Sequence, residues 1–138
     1  MVAMSTDAPT PDPIRVFVCD DASEYRALLR YELEDDPGLT VVGEASNGDE
    51  GVEGVAQTKP DVVVCDLSMP ICDGLEAIPR MREIAPDLPI IALSGLSREA
   101  MEDRALRAGA LCYIEKSDPP DVIRAALHDA VARRSQPG

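Results

Sequence analysis

Pro60-Asp61-Val62-Val63-Val64-Cys65-Asp66 is the stretch from which the fold is read. Three β-branched residues and a cysteine follow one another with no polar alternation, and a proline opens the run. Such a strand is buried on both faces, as in the middle of a parallel sheet. Its last residue is an aspartate, so a carboxylate stands where the apolar run ends.

Outward from this strand the chain alternates between short apolar runs and helical periodicities. Upstream, residues 15–19 (RVFVC) read as a strand. Ser23 is the expected cap of a helix in which Tyr25, Leu28, Leu29 and Leu33 recur at helical spacing, and Pro37-Gly38 ends it. Residues 39–45 (LTVVGEA) form a second strand, and residues 48–58 a helix weakened by Gly48, Gly51 and Gly54. Downstream, Asp73 with Glu76 three residues on resembles a capping box. It opens a helix carrying Leu75, Ile78 and Met81, with a kink or loosened turn expected at Pro79. Residues 89–94 (PIIALS) are the fourth strand, and Ser97 caps a helix that Gly109 stops. Residues 111–114 are the fifth strand. Pro119 and Pro120 start a last helix with Val122, Ile123, Ala126, Leu127, Ala130 and Val131 as its apolar stripe.

The pattern is (βα)5: an open, doubly wound parallel sheet with helices on both faces and right-handed crossovers. Five strands are too few for a closed (β/α)8 barrel. The expected domain spans residues 14–134, between a leader (residues 1–13, MVAMSTDAPTPDP) that reads as a flexible tail and a short tail, residues 135–138.

A chain of 138 residues suits one apolar core. No apolar run approaches the roughly 18 residues needed to cross a bilayer. Thirteen basic against 26 acidic side chains give a net charge of −13. That charge is repelled by phosphate backbones and anionic lipid, which argues against direct nucleic-acid or membrane binding by this chain. Cys19, Cys65, Cys72 and Cys112 match no zinc spacing, and three of them sit in apolar runs, where a thiol acts as a small hydrophobe. With no signal-peptide pattern, a reduced, cytoplasmic protein is expected. Cys72, in the loop after Asp66, is the candidate reactive thiol, its redox role left open. His128, the only histidine, reads as a solvated residue of the last helix.

In open α/β sheets ligands bind beyond the carboxyl ends of the strands. Strand one ends in Asp20-Asp21, strand three in Asp66, strand four in Ser94-Gly95, and strand five runs into Glu115-Lys116. Three carboxylates, a hydroxyl and an ammonium therefore point at one rim. Two carboxylates about 5 Å apart repel by roughly 3 kcal/mol at an effective dielectric near 20, so the cluster needs a cation. Hard oxygen ligands with room for water suit Mg²⁺. A carboxylate on the far side of such a site can attack phosphorus and form an acyl phosphate. Lys116 would neutralise phosphoryl charge there and Ser94 would donate a hydrogen bond.

At these residues the chain resembles the receiver domain of two-component response regulators, the CheY-like, flavodoxin-like fold with strand order 2-1-3-4-5. The resemblance covers residues 14–134. It rests on Asp20-Asp21, on DLSMPICDG from Asp66 to Gly74 (the D-x-x-M-P-x-x-D-G signature), on Ser94, and on Tyr113 three residues before Lys116. It implies that Asp66 is the phosphoacceptor, charged by a histidine kinase, a phosphotransfer protein or a small phosphodonor. It implies that Asp21, Asp66 and the Ser68 carbonyl bind Mg²⁺ directly, with Asp20 acting through water. Ser94 and Lys116 would hold the phosphoryl group, and Tyr113 would be the switch aromatic. The readout surface would be the last two helices and the strand between them. Residues 41–48 (VVGEASNG) and the region after Lys116 further resemble NarL/LuxR-type receivers. Ser117 replaces the proline often found after the lysine, leaving the geometry of that peptide open. Apolar Leu96, two residues past Ser94, implies slow autodephosphorylation.

No helix-turn-helix segment follows, so the expectation is either a stand-alone receiver acting through an unknown output protein or the receiver part of a longer DNA-binding regulator. Neither is a turnover enzyme. A Mg²⁺-dependent phosphohydrolase with an aspartate nucleophile is the competing class; it generally needs an acid two residues beyond the nucleophile, where Ser68 stands. A flavin carrier would need the Asp20–Ser23 loop to cradle phosphate, which two aspartates oppose.

Overall fold

The computed structural model describes residues 12–135. The leader up to residue 11 and residues 136–138 of the tail lie outside the described residues. Ten elements alternate along the described residues: β1 (Ile14–Cys19), α1 (Ser23–Glu34), β2 (Leu39–Ala45), α2 (Gly48–Thr58), β3 (Val62–Asp66), α3 (Gly74–Ile84), β4 (Ile90–Ser94), α4 (Arg98–Ala108), β5 (Cys112–Glu115) and α5 (Pro120–Ser135). The five parallel strands lie in the order β2-β1-β3-β4-β5.

Successive side chains of a strand face opposite ways, and that period of two divides the core. Phe17, Cys19, Val63, Cys65, Ile90, Ala92 and Tyr113 pack with Val55, Ile78, Met81 and Ala105 of α2, α3 and α4. Val16, Val18, Val62, Val64, Ile91, Leu93 and Ile114 pack with Leu29, Leu33, Ile123 and Leu127 of α1 and α5. All five residues of β3 are buried, as a central strand requires.

Local details refine the sequence reading. Ser23 is the first residue of α1 rather than its cap: Ala22 occupies the cap position, and its amide donates to Asp20 Oδ1 at 2.9 Å. Asp73 and Ser97 do cap their helices, accepting from the amides of Glu76 and Ala100, and Asn47 caps α2 by accepting from the Glu50 amide. Gly109 ends the α4 helix with φ of 118°. Pro79 does not break α3; it faces solvent, away from the buried row Ala77, Ile78 and Met81. Leu28 and Val122, expected in apolar stripes, are exposed. Among the described residues there is no cis peptide, so the Lys116–Ser117 bond is trans. No described helix is long and apolar enough to cross a membrane.

Gly54 of α2 and Gly43 of the neighbouring β2 share a packing cause. The Phe17 ring lies so close that a Cβ at Gly54 would meet its Cζ at 2.3 Å, and a Cβ at Gly43 would meet Cε2 at 2.6 Å. Helix propensity is sacrificed so that α2 can seat against this buried ring.

Candidate functional site

Register builds the site. Cys19 of β1 pairs with Cys65 of β3, so Asp20 and Asp66 leave the sheet side by side. Asp66 pairs with Leu93, which brings Ser94 to the adjoining rung, and Ser94 pairs with Glu115, the residue before Lys116. The Lys116 amide donates to the Ser94 carbonyl at 2.7 Å, fixing the start of its loop. Four strand ends thus deliver their polar residues to one rim without any loop having to travel.

Carboxylate oxygens of Asp20, Asp21 and Asp66 all lie within 4.8 Å of one another. Asp20 is fully buried, Asp66 nearly so, and Asp21 is exposed at the mouth. The Lys116 ammonium stands 2.8 Å from Asp20 Oδ2 and 3.2 Å from Asp66 Oδ2. The pair with Asp20 lacks hydrogen-bond alignment, leaving Oδ2 a buried oxygen without a directed donor. Asp66 Oδ1 accepts from the Ser68 amide at 3.1 Å. Burial pushes the Asp66 carboxyl above its usual range, the Ser68 amide pulls it back, and the charge of Asp20 pushes it up again. Burial alone would lower the Lys116 ammonium, but contact with Asp20 and the charge of Asp66 outweigh it and hold it above its ordinary value.

One lysine cannot neutralise three carboxylates. An all-oxygen donor set with an undirected buried oxygen and an open side at Asp21 fits a hard divalent cation better than a soft one. The open side is a cavity of about 560 Å³ whose lining includes Asp21, Ser68, Leu96 and Arg104.

The remaining residues sit around this centre. Ser94 is buried and its Oγ accepts from the Leu96 amide at 3.0 Å. Tyr113 is buried; its hydroxyl donates to the Leu96 carbonyl at 2.6 Å, tying β5 to the loop after Ser94. Gly74 explains the end of the DLSMPICDG stretch: a Cβ there would lie 2.4 Å from the Asp66 carbonyl oxygen. Arg26 and Tyr25 are neighbours that strand-end reasoning missed. Arg26 Nη1 donates to the Asp20 carbonyl at 2.5 Å, and the Tyr25 ring lies under Lys116. Helical spacing alone identifies Tyr25 only as an apolar-face residue.

Residues 16–128 match the response regulator receiver domain family. The chain belongs to that family. The chemotaxis protein CheY of Thermotoga maritima is 38% identical over 114 residues, which covers 83% of this chain and 94% of that protein. A protein-glutamate methylesterase/protein-glutamine glutaminase of Rhodospirillum centenum is 39% identical over 107 residues, or 76% of this chain and 27% of that protein. This receiver therefore spans little more than a quarter of the length of that methylesterase relative. A LuxR-family two-component response regulator from Aurantimonas superposes with a TM-score of 0.84 at 31% identity, covering 89% of this chain and 88% of that one.

One sequence expectation fails near the site. Cys72 is buried, and burial pushes its thiol up although Arg80 Nη1, 3.3 Å from Sγ, pulls it down. It is not an accessible, activated thiol. Cys65 is raised well above the ordinary value, first by its hydrogen bond with Cys19 and then by burial, consistent with two core thiols. His128 is exposed, as a solvated residue of the last helix should be, and its Nε2 lies 2.8 Å from Asp36 Oδ2.

Proposed function

We propose that the receiver is a phosphorylation switch with Asp66 as phosphoacceptor. The observation that carries this reading is the Lys116 ammonium, 2.8 Å from Asp20 and 3.2 Å from Asp66, within a trio of carboxylates that spans 4.8 Å. Asp21, Asp66 and the Ser68 carbonyl would hold Mg²⁺, and Asp20 would act through water. Bound there, the ion would offset carboxylate repulsion and gather phosphoryl oxygens.

The protein's own groups then do the following. A carboxylate oxygen of Asp66 attacks phosphorus; the O–P bond forms as the bond to the donor's imidazole nitrogen or carboxylate oxygen breaks, and the donor keeps that electron pair. Lys116 balances the equatorial charge while Asp20 holds it from behind. The Ser94 hydroxyl turns from the Leu96 amide to donate to a phosphoryl oxygen. Because Tyr113 hydrogen-bonds the Leu96 carbonyl, movement of that loop reaches β5 and hence the α4–β5–α5 face.

The donor would be a histidine kinase or phosphotransfer protein, the reaction cytoplasmic, and the output a changed protein contact rather than turnover or nucleic-acid binding by this chain. A linked DNA-binding domain in a longer parent is the second reading, supported by the likeness to the LuxR-family regulator. Intact mass after incubation with acetyl phosphate and Mg²⁺ tests the proposal: wild type gains one phosphoryl group and Asp66→Asn gains none. Equal gain by both, or sustained turnover of phosphate esters, would overturn it.

A further inference from the structure

Lys116 carries its charge on a flexible four-carbon stem that begins in a loop, and its side chain is 22% exposed. A lysine in that position has rotamers that swing the ammonium into water, and holding it inward costs conformational entropy. On its inner sides it donates to Asp66 Oδ2 at 3.2 Å and pairs with Asp20 Oδ2 at 2.8 Å as an ion contact without hydrogen-bond alignment. The third side is closed by Tyr25: Nζ sits 4.5 Å from the centre of that ring, well inside cation–π range.

Tyr25 is itself held in place. It lies in the first turn of α1, half-buried, and packs against the core shared by α1 and α5. The start of α1 is fastened to the acid pocket by the Ala22 amide on Asp20 Oδ1 at 2.9 Å and by Arg26 on the Asp20 carbonyl. The ring and the buried carboxylate are therefore parts of one rigid turn. An aromatic face attracts the cation without adding a fourth negative charge to a pocket that already holds three. A carboxylate there would compete with Asp66 for the lysine; an aliphatic side chain would leave the solvent-side rotamers open.

We propose that Tyr25 is a positioning residue for Lys116, its ring face keeping the ammonium between Asp20 and Asp66 so that it meets the incoming phosphoryl group already in place. The inference rests on the phosphoacceptor reading above. The ring acts, not the phenol, so phenylalanine suffices in its place and leucine does not.

The test is a set of phosphorylation rates at saturating acetyl phosphate and Mg²⁺ for wild type, Tyr25→Leu and Tyr25→Phe. Tyr25→Leu is expected to slow the reaction about fivefold, and Tyr25→Phe to recover most of that loss. Repeating Tyr25→Leu in a Lys116→Met background separates positioning from packing, because the effect should vanish once the lysine is gone. Proton NMR adds a readout independent of phosphorylation: the Lys116 ε-methylene protons, shifted upfield by the ring in wild type and Tyr25→Phe, move to ordinary values in Tyr25→Leu. Wild-type speed in Tyr25→Leu, equal slowing in the Lys116→Met background, or the absence of an upfield shift in wild type would overturn the proposal. If Tyr25→Leu does not fold, the wild-type and Tyr25→Phe shifts decide alone. A wild type that takes no phosphoryl group, whatever its NMR shifts, refutes the phosphoacceptor reading first, and this inference with it.

Discussion

Leu96 stands at the mouth of the site with about half of its surface exposed, lining the same cavity as Asp21 and Ser68. An apolar side chain there offers an attacking water neither a hydrogen-bond acceptor nor an ordered position. A carboxylate offers both, so Leu96→Glu should shorten the life of the phosphorylated form severalfold, as read from the decay of the phosphorylated mass peak. An unchanged lifetime would remove Leu96 from the account. At the residue scale the sequence is informative where a side chain's position follows from a strand end, as for Asp20, Asp66, Ser94 and Lys116. It was read poorly where the role depends on a neighbour distant in the chain. Cys72 looks exposed in a loop, yet Gly48 packs so closely that a Cβ there would lie 2.6 Å from its sulfur. Tyr25 reads as one more apolar-face residue until the loop after β5 places an ammonium over it.

Elements are fastened to the sheet by contacts that local periodicity does not reveal. The glycines of α2 made it the weakest helix in the sequence, although its bounds were legible, because glycine lowers propensity without saying what comes near. Gly54→Ala should gain about 1 kcal/mol of helix propensity. It would also force a methyl against the buried Phe17 ring at 2.3 Å. Overpacking of that kind costs about 1–3 kcal/mol, so net destabilisation is expected in urea unfolding. A stabilised variant would show that the ring can retreat. His128 on α5 and Asp36, just past the end of α1, form a clip across the other face of the sheet. The His128 hydrogen bond first, and the Gly38 amide second, hold the Asp36 carboxyl below its usual range. Folding thus favours the ionised form: the stabilisation is complete above the ordinary carboxylate pKa near 4 and is lost as pH falls through the lowered folded value. The pair is partly exposed and open to solvent screening, so its contribution should stay under about 1 kcal/mol. Asp36→Asn should flatten the acid side of the stability curve by that small amount, and a steeper acid limb would contradict the clip.

For the molecule as a whole, one rim of the sheet stores electrostatic repulsion that the rest of the core must hold. Three carboxylates within 4.8 Å against one lysine should make the empty receiver less stable than the ion-bound one. Mg²⁺ at ten times its dissociation constant should add about 1.4 kcal/mol, a rise in Tm of a few degrees. Asp21→Asn should blunt that rise; an identical rise in the variant would place the ion elsewhere. The sheet and its alternation were legible because buried parallel strands are continuous apolar runs and each helix carries its own period. The site was legible because the fold gathers strand ends at one rim, which makes five scattered residues a single constellation.

The most direct measurement is the position of the phosphoryl group itself. Phosphorylated protein treated with borohydride converts an aspartyl phosphate to homoserine, and peptide mapping then reads the residue. Homoserine at position 66 alone is the expected result. Its appearance at Asp20 or Asp21, or at no aspartate while the protein still carries phosphate, would contradict the account.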